Sequence, residues 1–147
     1  MASIAAQLLQ PARISLELAA TDKNDAITEV ASIIQRDPDV LDFECLCKEL
    51  IERDEMRSTA AGYGVAFPHA RTDAVREIIV AAGRSERGVK FGDEIVNFIF
   101  VIGTPREKAS EYLVAVGSLA RLLRKEKTRA GLLAAGTPED FIRVLTV

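Results

Sequence analysis

The chain has 147 residues, 48% of them apolar, which is enough to build a sizeable core without disulfides or metals and fits one unit spanning residues 1–147. Nineteen basic against 22 acidic residues leave a net charge of −3, which excludes an overall basic field holding the protein on nucleic acid or anionic lipid. Cys45 and Cys47, two apart on an expected helix, diverge and suggest neither a disulfide nor a metal clip.

Met1 to Gln7 lacks the basic start and long apolar run of a signal peptide, and no stretch of about 18 apolar residues occurs. A cytoplasmic setting without membrane insertion is expected. Residues 3–9 suggest a short helix, and Ile14, Leu16 and Leu18 alternate with polar residues as in a strand over 13–18. From Asp22 to Arg36 the apolar positions Ala26, Ile27, Val30, Ile33 and Ile34 follow helical spacing, with Thr21 or Asp22 as N-cap and Pro38 beyond. A second helix is expected over 43–56, burying Phe43, Leu46, Cys47, Leu50 and Ile51 and turning Lys48, Glu49 and Glu52 to water.

Short apolar runs separated by glycines follow, at 65–67, 78–82 and 95–102, and these read as strands. The last is apolar on both faces apart from Asn97, so it is expected to be central and covered by helices on both sides. A helix over 108–124 supplies cover through Ala109, Tyr112, Leu113, Val116, Leu119, Ala120 and Leu123, and Thr137 before Pro138 caps a short final helix. Glycines 88 and 92 suggest a hairpin, and with it a sheet of mixed strand direction. The expected fold is an α/β sandwich, a mixed sheet with helices on both faces.

The single histidine, His69, follows Pro68 at the end of an expected strand. Proline has no N–H and ends strand pairing, so it leaves the histidine where a strand meets solvent and partners. A neutral imidazole has one unprotonated nitrogen able to attack phosphorus while the other, as N–H, is held by an acceptor. Gly62 and Gly64 allow close backbone approach, and Ser58, Thr59, Arg53 and Arg71 are candidate donors to phosphoryl oxygens. The plainer reading makes His69 a structural or surface residue, the glycines ordinary turns and the arginines solvated charges. No nucleotide-loop, zinc-protease or serine-hydrolase motif is present.

The run from Leu50 to Thr59, with Arg53-Asp54 and then Ser58-Thr59, continues through Gly64-Val65-Ala66-Phe67-Pro68-His69-Ala70-Arg71. Together with Gly88-Val89-Lys90-Phe91-Gly92 and the strand ending Gly103-Thr104-Pro105, it resembles the fructose, mannitol and nitrogen-regulatory group of enzyme IIA domains of the phosphotransferase system. The resemblance covers nearly the whole chain and is most specific at Pro68-His69. It implies a sheet of about five strands, phosphorylation of His69 by a phosphohistidine protein such as HPr, and Arg53 beside the phosphohistidine. It further implies onward transfer to a IIB domain or docking to a regulatory target, with no cofactor or metal in the domain. Sugar-transporting members of the family commonly carry a second histidine where this chain has Tyr112, a departure that favours regulation over sugar delivery; core packing is the alternative role for Tyr112. A regulatory docking module, with phosphorylation as a switch or absent, is the rival reading. A hydrolase using His69 as general base lacks a nucleophile or metal set.

Overall fold

The computed structural model describes residues 8–146, so the helix expected over 3–9 lies largely outside the described residues. Pro11 opens a single 3-10 turn, Pro11–Arg13, and the strand after it, β1, covers only Ile14–Ser15. It is shorter than the expected 13–18 because its first residue belongs to that turn and beyond Ser15 the contacts to the neighbouring strand run through Arg84, whose Nε donates to Leu16 O at 3.1 Å and whose carbonyl accepts the Leu18 N–H at 2.9 Å.

Helix α1, Lys23–Ser32, starts where Asp22 accepts a hydrogen bond from the Asp25 N–H. It ends four residues before Arg36, because the N–H groups of Ile33, Ile34 and Gln35 turn to carbonyls three residues back, a tighter winding that prepares the stop at Pro38. Helix α2, Phe43–Met56, has the expected bounds, with Asp42 as its cap. Leu46 and Leu50 form its buried stripe, and Asp54, one turn further on, is buried with them at 2% exposure.

Strand β2, Ala60–Gly62, turns through Tyr63 into β3, Val65–Ala66. Gly62, Tyr63 and Gly64 all have positive φ, and Gly64 packs so closely on Asn97 that a side chain there would press on it. Strand β4, His69–Arg71, continues the line of β3. Both pair parallel to β6, Glu94–Thr104, in one unbroken register, Val65 opposite Phe98 and His69 opposite Ile102. The gap is Phe67-Pro68, where the Phe67 N–H faces the β2 side and bonds Thr59 O at 3.0 Å while Pro68 O takes the Ile102 N–H at 2.9 Å. Proline thus interrupts a strand and lets it resume with His69.

Strand β5, Ile79–Phe91, runs antiparallel to β6 across a turn at Gly92. It extends well past Ala82, the expected end, because β6 pairs with it on either side of a register shift between Arg84 and Val89. Gly88, expected in a turn, instead lies in this irregular strand with φ +90°, where a Cβ would come within 2.3 Å of Ile95. The lateral order is β1-β5-β6-β3-β2, with β4 in line with β3, and β6 is central. Phe98, Phe100 and Ile102 face one core; Val96, Ile99 and Val101 face the other.

Helices α1 and α2 cover the second of these faces. The first is covered by α3, Ala109–Leu123, α4, Glu126–Ala134, and α5, Pro138–Leu145. Helix α4 is unexpected from sequence. Its opening Glu-Lys-Thr-Arg is charged and Gly131 interrupts it, so its buried face is reduced to Thr128 and Leu132. Arg84, 6% exposed, holds its end by donating to the carbonyls of Leu132 and Ala135 at 2.9 and 2.7 Å. No helix among the described residues is long and apolar enough to cross a membrane.

Candidate functional site

Where β4 restarts after Pro68, its first side chain enters an open cleft of about 620 Å³ between the end of α2 and the start of α3. His69, Arg53, Arg71 and Tyr112 line this cleft together, with Glu49, Glu52, Arg106, Met56 and Leu113. Four of the eight residues singled out from sequence are therefore brought together.

His69 Nδ1 lies 2.8 Å from Phe67 O. A carbonyl only accepts, so Nδ1 carries the proton and Nε2 keeps its lone pair. The contact is built by the chain itself: Phe67 is the residue before proline, held extended, buried, and stacked on Phe100 at 5.7 Å between ring centroids. Burial lowers the His69 pKa below its ordinary 6.5 and the Arg53 charge lowers it further, against the upward pull of the Phe67 carbonyl. At neutral pH the ring is uncharged, with the Nε2 lone pair free.

Arg53 leaves the last turn of α2 and donates to Arg57 O at 2.9 Å. Arg71 is exposed on β4. Arg106 follows Pro105 and stands 3.6 Å from the Asp73 carboxylate and 3.9 Å from that of Glu49. Three guanidinium groups and a neutral imidazole share the cleft with the carboxylates of Glu49 and Glu52, and the basic groups suit a site that receives a dianionic phosphoryl group.

Tyr112 is both core and site. It is 8% exposed and packs in the α3 cluster, yet its ring centroid is 5.1 Å from that of His69. Burial raises its pKa, outweighing the opposing arginines 53 and 71, so the phenol stays neutral. Ser58, Thr59 and Gly64 do not line the cleft. The Ser58 hydroxyl accepts from Ala60 N, and Thr59 is buried with its N–H and hydroxyl both on Asp54 Oδ1, at 2.9 and 2.6 Å. Gly64 serves the β2–β3 turn.

Leu113, assigned from sequence to the α3 core, is 66% exposed on the cleft rim. The buried stripe is Tyr112, Ala115, Leu119 and Leu123, whose spacing leaves no room for the residue following Tyr112. Glu49 and Glu52, expected to face water, border the cleft, as do Arg106 and Met56. Spacing along α2 offered a signal for these: residues 49, 52, 53 and 56 share one helical face.

A family model described as "Phosphoenolpyruvate-dependent sugar phosphotransferase system, EIIA 2" matches residues 7–147. A fructose-specific EIIA component of Haloferax volcanii is 32% identical over 135 residues, covering 90% of this chain and 88% of the relative. A fructose-specific EIIABC component of Bacillus subtilis is 27% identical over 142 residues, 95% of this chain; the chain spans 22% of that relative's length. The crystal structure of the nitrogen regulatory protein IIA-Ntr from Neisseria meningitidis superposes with TM-score 0.89 at 25% identity, covering 98% and 100% of the two chains. The mannitol IIA domain of Escherichia coli, in a complex with phosphorylated mannitol IIB, shares the fold at TM-score 0.80 and 20% identity, covering 93% and 96%. With residues 7–147 of its 147 matched by the family model, this chain belongs to the EIIA type 2 family of the phosphoenolpyruvate-dependent sugar phosphotransferase system, a family of phosphocarrier domains.

Proposed function

We propose that residues 1–147 act as one cytoplasmic phosphocarrier unit in which Nε2 of His69 accepts a phosphoryl group from the phosphohistidine of an HPr-like protein. One observation carries this reading: the bond from Nδ1 to Phe67 O assigns the free lone pair to Nε2 in a cleft ringed by Arg53, Arg71 and Arg106. In the transfer the donor's N–P bond breaks as the Nε2–P bond forms, and the electron pair returns to the donor nitrogen. As Nε2 gives up its lone pair the ring becomes positive, and the carbonyl on Nδ1–H stabilises that charge. The arginines stabilise the phosphoryl oxygens by charge-assisted bonds, so catalysis is positioning plus electrostatics.

Onward transfer to a IIB domain follows the pattern of the E. coli mannitol complex. A regulatory role, with docking to a target protein switched by phosphorylation, is favoured by Tyr112: a neutral phenol beside His69 offers one donor and takes no proton from solution at neutral pH. Incubation with phosphoenolpyruvate, enzyme I and HPr, followed by mass spectrometry, tests the carrier reading. One acid-labile phosphate on wild type and none on His69→Ala is expected; an unlabelled wild type leaves docking alone.

A further inference from the structure

Asp54 touches neither the cleft nor solvent, and its placement has no counterpart in the proposed transfer. It lies beside Arg53 at the end of α2 with a side chain that is 0% exposed. A carboxylate is placed there only when compensated. Lys23 Nζ, from the first residue of α1, stands 2.8 Å from Oδ2, and Oδ1 takes both the N–H and the hydroxyl of Thr59. Burial pushes the Asp54 pKa up, but Lys23 and Thr59 outweigh it and hold it below 3.8.

Thr59 is held by these bonds at a point that matters for the histidine. Its carbonyl accepts the Phe67 N–H, at 3.0 Å, on the side of the strand that pairs with β2. The Phe67 carbonyl in turn accepts from His69 Nδ1 at 2.8 Å. No other described side chain bonds His69 Nδ1, so the tautomer depends on where Phe67 O points. Phe67 O depends on the two ends of its residue: the N–H on Thr59 and the fixed ring of Pro68.

We propose that Asp54 is a positioning residue for His69, acting through Thr59 and Phe67 to aim the carbonyl that keeps the proton on Nδ1 and the lone pair on Nε2. The inference rests on His69 being the phosphoryl acceptor, but the tautomer it concerns exists without any phosphate. A buried Lys23–Asp54 pair would serve to join α1 to α2 in any case. The difference is that the relay makes the imidazole sensitive to a carboxylate it does not touch.

The test is ¹⁵N NMR of the His69 ring at a pH where it is neutral, which reads the proportions of Nδ1–H and Nε2–H forms directly. Asp54→Ala is expected to shift the population from Nδ1–H toward Nε2–H and to slow phosphoryl acceptance at least about tenfold. Asp54→Asn, whose carbonyl still accepts from Thr59, is expected to restore most of the Nδ1–H form. Thr59→Val removes the hydroxyl bond and keeps the N–H bond, so its shift should be in the same direction and smaller; it decides the question if Asp54→Ala does not fold. A wild-type tautomer ratio in folded Asp54→Ala, or in Thr59→Val if the former is unfolded, overturns the proposal. A shifted ratio with no labelling of wild type would instead overturn only the carrier reading.

Discussion

The two helices that wall the cleft are built differently. Helix α2 is capped by Asp42, and its last turn is tied down by Arg53 on Arg57 O, by Lys23 on Asp54 and by Asp54 on Thr59. Helix α3 begins without a side-chain cap at Lys108 and presents Leu113 and Val114 to solvent, 66% and 50% exposed. The strand between them adds His69, with one nitrogen already bonded. In the proposed transfer the chemistry belongs to β4 and α2, whose side chains are held by bonds within the chain. Specificity is proposed to fall to α3, whose Leu113 and Val114 are exposed and whose Tyr112 ring lies against the imidazole.

The largest effect is expected at the strand itself. His69→Ala should abolish labelling while leaving the circular dichroism spectrum and thermal midpoint close to wild type, since the ring is only partly buried and its one bond is to its own loop. An unfolded variant, or one labelled at the wild-type rate, would remove His69 from its role. On the α2 wall, Arg53→Lys should slow phosphoryl acceptance roughly tenfold, because an ammonium cannot reproduce the planar fork that grips two oxygens. Stopped-flow or quench labelling against phospho-HPr reads this, and unchanged kinetics would return Arg53 to the solvated surface.

On the α3 wall the change should be smaller and act on the opposite step. Tyr112→His adds a side chain able to share the phosphate's charge by taking a proton, so phosphorylated variant should discharge to a fructose-type or mannitol-type IIB domain a few times faster than wild type. Fast, equal discharge by both proteins would sink the regulatory reading. Slow, equal discharge would confine Tyr112 to its packing against Leu119 and its neighbours.

The smallest effect expected is on stability. Burial, then Arg53, depresses the His69 pKa in the folded protein, so the folded state resists taking a proton that the unfolded chain accepts. The sign follows: His69 costs nothing above pH 6.5, and stability falls as the pH drops from about 6.5 toward the folded pKa. The carboxylates of Asp37 and Asp54, also depressed, lose their contributions only in more acid solution, below 3.8. Urea titrations of wild type and His69→Gln between pH 8 and pH 5 should therefore converge or cross in favour of the variant on the acid side. A constant difference across that range would show the imidazole to be no harder to protonate when folded.

Much of this arrangement was legible in the sequence because it rests on local rules. Asp22 and Thr137 announced two helix starts and the apolar run 95–102 announced the central strand, whereas Pro68, read as a strand's end, only interrupts a strand that resumes with His69. What was hidden depends on distant partners. Helix α4 carries too few buried side chains to show a period, and its end is held by Arg84, 48 residues away from Leu132. The extension of β5 past Ala82 needs β6 beside it. Thr59, singled out as a phosphoryl donor, turns inward because Asp54 is buried behind it, and nothing in a string of residues shows which of two neighbouring polar groups faces the core. Arg106 joins the cleft only because β6 delivers its end beside β4.

The central claim is that the fold reserves one nitrogen of His69 for phosphorus, and the most direct measurement is the regiochemistry of the phosphohistidine. Wild-type protein with ¹⁵N in the imidazole ring, phosphorylated by phospho-HPr, should show in its ¹⁵N and ³¹P spectra a single linkage through Nε2, with the Nδ1 proton still bonded to Phe67 O. Phosphate on Nδ1, or on any residue other than His69, would contradict the account.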